Sequence, residues 1–398
     1  MAMSERETLQ RENTVRYPRP RLVSRSLALV FAATFSTLTG FFLLLSVVPM
    51  YAAAGGAGGV GAGVATGALM LTTVLAELAL PRLLARFGYR RVFGTGLLLL
   101  GLPSLALPFS QGMAMITAVS LVRGLGFAVT VVATNALVAE LVPAERRGEG
   151  LGLFGMVAGV PSVLALPLGV WLAGQVGYTP VFVAASVVSL AALAILPGLP
   201  RHVAHASSSS ADRPFGIAAG LRSAALMRPT LAFAAAAMAA GILVTFLPDA
   251  VPGGGVAAAA LFVQPAAATL TRWWAGRAGD RYGAGRLLPP AVVVAASGIA
   301  LLFLVPDTAA VFAAMLLFGC GFGVVQNASI AVMFERAPAS GYGTVSALWN
   351  VGYDGGMGVG GAAFGVAAAQ TGYPAAFALT AAVMLLALPL TVTRRAGP

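Results

Sequence analysis

The chain has 398 residues, of which 59% are hydrophobic and only 9% charged, and its mean hydropathy is +0.89. A water-soluble protein of this length needs far more charge on its surface, so that class is excluded. The net charge of +11 would suggest nucleic acid in a soluble protein, but here the arginines gather between apolar runs, as the positive-inside rule requires, and no nucleic-acid partner is expected.

The N-terminal tail, 1–26, is polar and holds six arginines. The first apolar run, 27–50, is too long for a signal-peptide core of about 7–15 residues and shows no cleavage site, so it is predicted to be a retained span. A spanning helix takes about 20 mostly apolar residues. Twelve such segments are predicted: 27–50, 60–84, 92–110, 113–141, 149–174 and 180–197 in the first half, then 229–248, 256–278, 287–305, 309–334, 342–368 and 374–393 in the second. The halves, 27–197 and 229–393, are joined by a polar linker, 198–228, with room for a short amphipathic helix. A tail follows at 394–398.

Arginines occupy the tails, the linker and the turns after the second, fourth, eighth and tenth spans. The alternate loops, near 55, 111, 177, 252, 307 and 372, have no arginine, and their only charges are Asp249 and Asp307. This alternation predicts an even span count with both termini cytoplasmic. The expected location is the plasma membrane, of the bacterial inner-membrane kind, with the lipid bilayer as the first partner.

The two halves repeat. A constant offset of 195 residues aligns Arg86 with Arg281, Gly88 with Gly283, Gly124 with Gly319, Gly126 with Gly321 and Glu140 with Glu335. It ends on Gln175, Gly177 and Tyr178 against Gln370, Gly372 and Tyr373. One offset over most of each half is an internal duplication. Six spans is an even number, so both halves insert the same way round, and the repeat axis runs along the membrane normal. The predicted fold class is therefore all-α integral membrane, with twelve helices in two six-helix bundles related by a parallel pseudo-two-fold repeat.

Each half carries a charged turn after its second span. In the second half it reads Gly276 to Arg286, with Gly276, Asp280, Arg281 and Gly283. The first-half copy keeps Arg86, Gly88, Arg90 and Arg91 but has Pro81 and Ala85 for the Gly and Asp. This turn, with the six-plus-six layout, resembles the major facilitator superfamily and its G-x-x-x-D-R-x-G-x-[RK]-[RK] signature loop, and the resemblance covers about Leu27 to Arg395. It implies transport by alternating access. An Asp at a helix end accepts from the positive N-terminus of a facing helix, so Asp280 is expected to latch onto the start of the fifth span, near Arg147–Gly150. The end of the fourth span, Glu140 to Gly148, is similar to the superfamily's E-x-x-P-x-x-x-R-G stretch through Glu140, Pro143, Arg147 and Gly148. A gate cluster is expected there, with Glu140 paired to Arg86 or Arg90 and Glu335 to Arg281.

Arg123 lies about ten residues into the fourth span, near the bilayer middle. An arginine at that depth is costly unless it faces a cavity or a partner. Its setting, Arg123-Gly-Leu-Gly126, resembles a fourth-helix motif linked in the family to proton coupling, one residue short in spacing. Asp354 sits in the middle of the eleventh span; a lone carboxylate there is expensive as an anion, which makes it a candidate proton carrier. Glu77 and Arg272 are repeat mates of opposite charge, either bridging the halves or snorkelling to the interface. Asn135, Gln264, Gln326, Asn327 and Asn350 are further candidates to line a path. The fifth span loosely resembles a drug/proton antiporter motif at Ala165 to Gly169, with Leu166 where a Gly is expected. Small residues in the fifth and eleventh spans favour close backbone approach between the halves.

Other chemistries find no support. Gly150-x-Gly152-x-x-Gly155 and Gly356-x-Gly358-x-x-Gly361 fit a dinucleotide fingerprint but lie in apolar helical segments, not after a strand. His202 and His205 have no further His or Cys to complete a metal site beyond the lone Cys320, so no metal and no cofactor are expected. The sequence reading is a secondary active transporter, not an enzyme and expected to be monomeric, exporting a small, partly apolar compound against protons. The alternative is uptake or exchange of a small metabolite such as a sugar, organic acid or amino acid.

Overall fold

The computed structural model describes residues 24–142, 146–199, 216–338 and 341–392. The N-terminal tail up to residue 23, residues 200–215 of the linker and the C-terminal tail lie outside that description. Among the described residues the chain is helical throughout, without strands.

Twelve main helices are labelled here in chain order. They are α1 (Arg25–Leu45, prolonged by Val47–Ala52), α2 (Gly58–Phe87), α3 (Tyr89–Gly101), α4 (Met113–Leu141), α5 (Arg147–Val176) and α6 (Tyr178–Ala191). After a short helix in the linker, Ile217–Arg222, come α7 (Ala224–Ala250), α8 (Gly254–Tyr282), α9 (Ala284–Leu301), α10 (Thr308–Arg336), α11 (Tyr342–Thr371) and α12 (Tyr373–Leu386). The linker thus holds a short helix, and α7 begins five residues before the predicted 229.

Ten helical stretches are long and apolar enough to cross a membrane. The first, Arg25–Leu80, has 56 residues. At 1.5 Å per residue it would reach about 84 Å, against a hydrocarbon core of about 30 Å, so it must be two passes. It reverses at Ala53–Ala57, where Gly56 takes φ 92°. Among the main helices only α11 is absent from the ten. Its run of glycines with Asn350 and Asp354 is too polar to face lipid on all sides, and the structure instead packs it between α2 and α7.

The duplication is visible atom by atom. α4 and α10, α5 and α11, and α6 and α12 begin and end at the same offset of 195 residues. The charged turns close in the same way: Gly88 (φ 76°) donates its N–H to Leu84 O and Gly283 (φ 87°) to Gly279 O. This left-handed backbone is where glycine alone avoids strain. Gly124 presses α4 onto Leu69 O of α2, and its mate Gly319 presses α10 onto Gln264 O of α8; a Cβ would stand 2.0 Å and 2.4 Å from those oxygens. Glycine at these points lets the backbones touch, which is how helices associate where lipid removes the hydrophobic drive.

Two seams join the halves, α2 against α11 and α5 against α8, and the repeat interconverts them. The α2/α11 seam is closed on the arginine-poor face. A Cβ on Gly63 would lie 2.4 Å from Gly361 O, and one on Gly365 2.5 Å from Gly59 O. Thr66 and Thr245 of α7 join hydroxyls at 2.8 Å. Phe246 packs on Phe364 at 4.8 Å between centroids. The glycines of the dinucleotide decoy are accounted for here: Gly356 meets the backbone of α7 at Ala234, while Gly358 and Gly361 meet Met70 and Thr66 of α2.

Candidate functional site

Following the α2/α11 seam inward from the closed face leads to its only acidic contact among the described residues. The carboxyls of Glu77 on α2 and Asp354 on α11 face each other at close range across the seam. Each comes from a different bundle. Glu77 lies ten residues, about 15 Å, from the end of α2, and Asp354 twelve residues, about 18 Å, from the start of α11, so both are deep. Asp354 is only 5% exposed, and one Glu77 oxygen, Oε2, is buried without a partner. Two carboxyl groups can hydrogen bond only when one of them carries a proton, because two carboxylates are both acceptors. The contact thus sets two acids from different halves against each other.

The expectation that Glu77 bridges to its repeat mate Arg272 is corrected by this geometry. Repeat mates sit on opposite seams, so Arg272 lies on α8 against α5. It is exposed, yet helices stand around it. A Cβ on Gly155 of α5 would be 3.9 Å from its Nη2. Tyr353 of α11 lies near it. One turn along α8, Asn327 of α10 brings its Nδ2 to 3.8 Å from where a Cβ on Gly276 would be. Arg272 is therefore exposed on the side of α8 that meets α5.

Arg123 is 2% exposed and its Nε has no partner. It borders a small cavity with Ser120, with Thr66 and Leu69 of α2, and with Leu44 and Pro49 of α1. No carboxylate among the described residues balances it. The bland reading, an arginine tied to backbone carbonyls, is not what the structure gives. Its repeat mate is the apolar Phe318, so the charge belongs to the first half alone.

The remaining candidates divide. Gln326, Asn327 and Asn350 are half-buried inside the second half, and Asn135 is exposed. Gln264 is buried, with its backbone carbonyl under Gly319. At the arginine-rich face, Glu140 accepts from the Tyr89 hydroxyl at 2.9 Å, not from Arg86 or Arg90 as expected. Arg86 and Arg281 each lie over the next aromatic ring, Phe87 and Tyr282, at 5.2 Å and 5.3 Å. The Arg281–Glu335 pair expected there is likewise not formed. A ring face competes well with an exposed carboxylate for a cation, because surface ion pairs contribute little. Asp280 is exposed, and the side chain of Arg147, across the expected latch, lies outside the described residues.

Sequence reasoning missed the acidic pair. It named both residues but had no way to place two helices from different halves side by side. It also missed the aromatic wall beside Asp354: Phe233 stacks on Trp349 at 4.5 Å and on Tyr353 at 5.8 Å. The signal available was the i, i+4 spacing of Trp349 and Tyr353 on α11.

Comparisons with known proteins agree with this architecture. A family model described as Major Facilitator Superfamily matches residues 30–361. Over 141 residues the chain is 32% identical to an uncharacterized MFS-type transporter of Mycobacterium tuberculosis; the stretch is 34% of this chain and 24% of that protein, so the match spans about a quarter of the relative. Among solved structures, the nucleoside transporter NupG superposes with a TM-score of 0.72 at 13% identity, covering 92% of this chain and 98% of that one. A POT family transporter in complex with a thioalcohol-conjugated peptide gives 0.73 at 12% identity, covering 92% and 95%. At such identities the likeness speaks for the fold alone.

Proposed function

The chain belongs to the Major Facilitator Superfamily, a membrane transporter family, and from that premise we propose that it exports a small, partly apolar compound in exchange for protons. The arginine-rich face is taken as cytoplasmic. The observation that carries the reading is the Glu77–Asp354 contact, because it joins the two bundles and two acids set this close favour keeping one proton between them. With the outer face closed, the pair holds one proton between α2 and α11. Loss of that proton toward the cytoplasm leaves two carboxylates in contact. At about 4 Å and an effective dielectric of about 20 they repel by about 4 kcal/mol. Since about 1.4 kcal/mol is a tenfold change in a two-state population, this is enough to open the seam. Compound bound from the cytoplasm then leaves through the opened outer face. A proton arriving from outside restores the contact and closes it. Protons thus move in as compound moves out.

A second reading keeps the same proton site but reverses the compound: uptake or exchange of a metabolite. Its support is that the similar solved structures are a nucleoside transporter and a transporter holding a peptide. The test is luminal pH in proteoliposomes of the purified protein, challenged with cationic, neutral and anionic lipophilic compounds. Proton movement opposite to the compound, lost in both Glu77→Gln and Asp354→Asn, supports exchange through the pair. Proton movement with the compound favours uptake. A response that survives both substitutions removes the pair from the proton route.

A further inference from the structure

The second seam holds the opposite chemistry of the first. Where α2 presents Glu77, α8 presents Arg272, and where α11 presents Asp354, α5 presents Gly159. A Cβ added at Gly159 would meet nothing within 4 Å, and one at Gly155 would meet only the Arg272 guanidinium. The first seam is therefore a filled contact of two carboxyls, while the second is a guanidinium in front of a gap. Among the described residues no carboxylate pairs with Arg272.

We propose that this gap is the recognition site for a carboxylate on the transported compound, with Arg272 as its cation and Asn327 as a neighbouring amide donor. The proposal rests on the transporter reading and adds the charge of the compound to it. A planar guanidinium offers two parallel N–H donors that match a carboxylate. One uncompensated arginine balances one negative charge, which matches a monoanionic carboxylate and leaves the second charge of a dianionic phosphate without a cation. Tyr353, which lies near Arg272, stacks with Trp349 at 6.1 Å between centroids and an interplanar angle of 5°. These rings give an apolar body a wall to lie on. The chemical class is an amphipathic organic carboxylate with a flat apolar part.

The local potential can be read without knowing the natural compound. In the full chain with Cys320→Ala, Gly155→Cys places a thiol beside the guanidinium; the distance of 3.9 Å is ordinary contact, so the substitution fits. Its labelling is followed with an anionic and a cationic methanethiosulfonate, each rate divided by that of a free thiol. The anionic reagent is expected to be favoured by about tenfold, as a unit charge a few ångströms away dictates. Adding Arg272→Gln should erase the preference. 2-Naphthoate should slow labelling in the parent, and 2-naphthamide should not. Equal normalised rates, or a preference that survives Arg272→Gln, would sink the anion site. Naphthamide protecting as well as naphthoate, or naphthoate failing to protect, would sink the carboxylate assignment. Both labelled variants are compared by thermal midpoint, so a misfolded protein is recognised as such. No proton movement enters this readout, so it stands or falls separately from the exchange reading.

Discussion

Glu77 and Arg272 hold the same place in the two halves, and the structure gives them different neighbours: Asp354 for the acid, Tyr353 and a glycine-lined gap for the base. A duplicated chain begins with identical seams. Here the copies have diverged at the mid-depth positions of the seams while keeping the helix ends and the glycine contacts. On the proposed reading, one seam serves a proton and the other a ligand.

The first prediction concerns the acidic pair. The α2/α11 contact is favoured while the proton is present and weakened as pH rises and both groups ionise. In Glu77→Gln the amide donates a hydrogen bond without any proton to lose. Closure of the outer face should then be independent of pH, and compound-driven proton flux should fall to background. The check is the labelling rate of a cysteine placed at Thr66, in Cys320→Ala, measured across pH with and without Glu77→Gln. A rate that rises with pH equally in both would show that closure does not depend on the pair.

Much of this fold was legible in the sequence, and the reason is the bilayer. It demands about 20 apolar residues per pass and forbids irregular backbone, so hydropathy and arginine placement yield the spans, and the constant offset of 195 residues yields the repeat. The gate contacts were less legible. Glu140 was assigned an arginine because charge complementarity is all a sequence offers, whereas Tyr89 is the group within reach. Glu77 and Asp354 are 277 residues apart in sequence, and only the approach of α2 and α11 through Gly63 and Gly361 makes them neighbours.

That approach gives the second prediction. In Gly361→Leu the new side chain meets Thr66 Cβ at 2.9 Å already at its first atom, and in Gly63→Leu it meets Gly361 O at 2.4 Å. Such overpacking costs about 1–3 kcal/mol. The cost falls only on the closed state, so the outer face should open in the resting protein and transport should fall about tenfold or more. Distance measurements between spin labels on the loops after α1 and α7 would show the separation. Unchanged distances would mean that the seam is not the closing element.

The third prediction uses the Thr66–Thr245 contact, where hydroxyls of α2 and α7 lie 2.8 Å apart. Cysteines at both positions in Cys320→Ala should form a disulfide under mild oxidation, since their Cβ atoms can approach within the range such bonds need. The bond would fasten the outer face shut. Transport should stop on oxidation and return on reduction. Full activity in the oxidised protein would show that this face does not need to open.

The last prediction separates cost from use at Arg123. A buried cation with a free Nε and no carboxylate among the described residues is paid for by the rest of the fold. Its cavity reaches Thr66, so the guanidinium stands one side chain from the contact that closes the outer face. If Arg123 were structural, held by backbone carbonyls, Arg123→Met would lower the thermal midpoint. The unpartnered geometry predicts the reverse: Arg123→Met, of similar length and without charge, should raise the midpoint by a few degrees, as removal of an unpaired buried charge does. Transport should fall at the same time, because strain of this kind is kept where function uses it. Thermal unfolding followed by tryptophan fluorescence, beside the liposome flux, reads both. A destabilised variant with normal flux would return Arg123 to the scaffold.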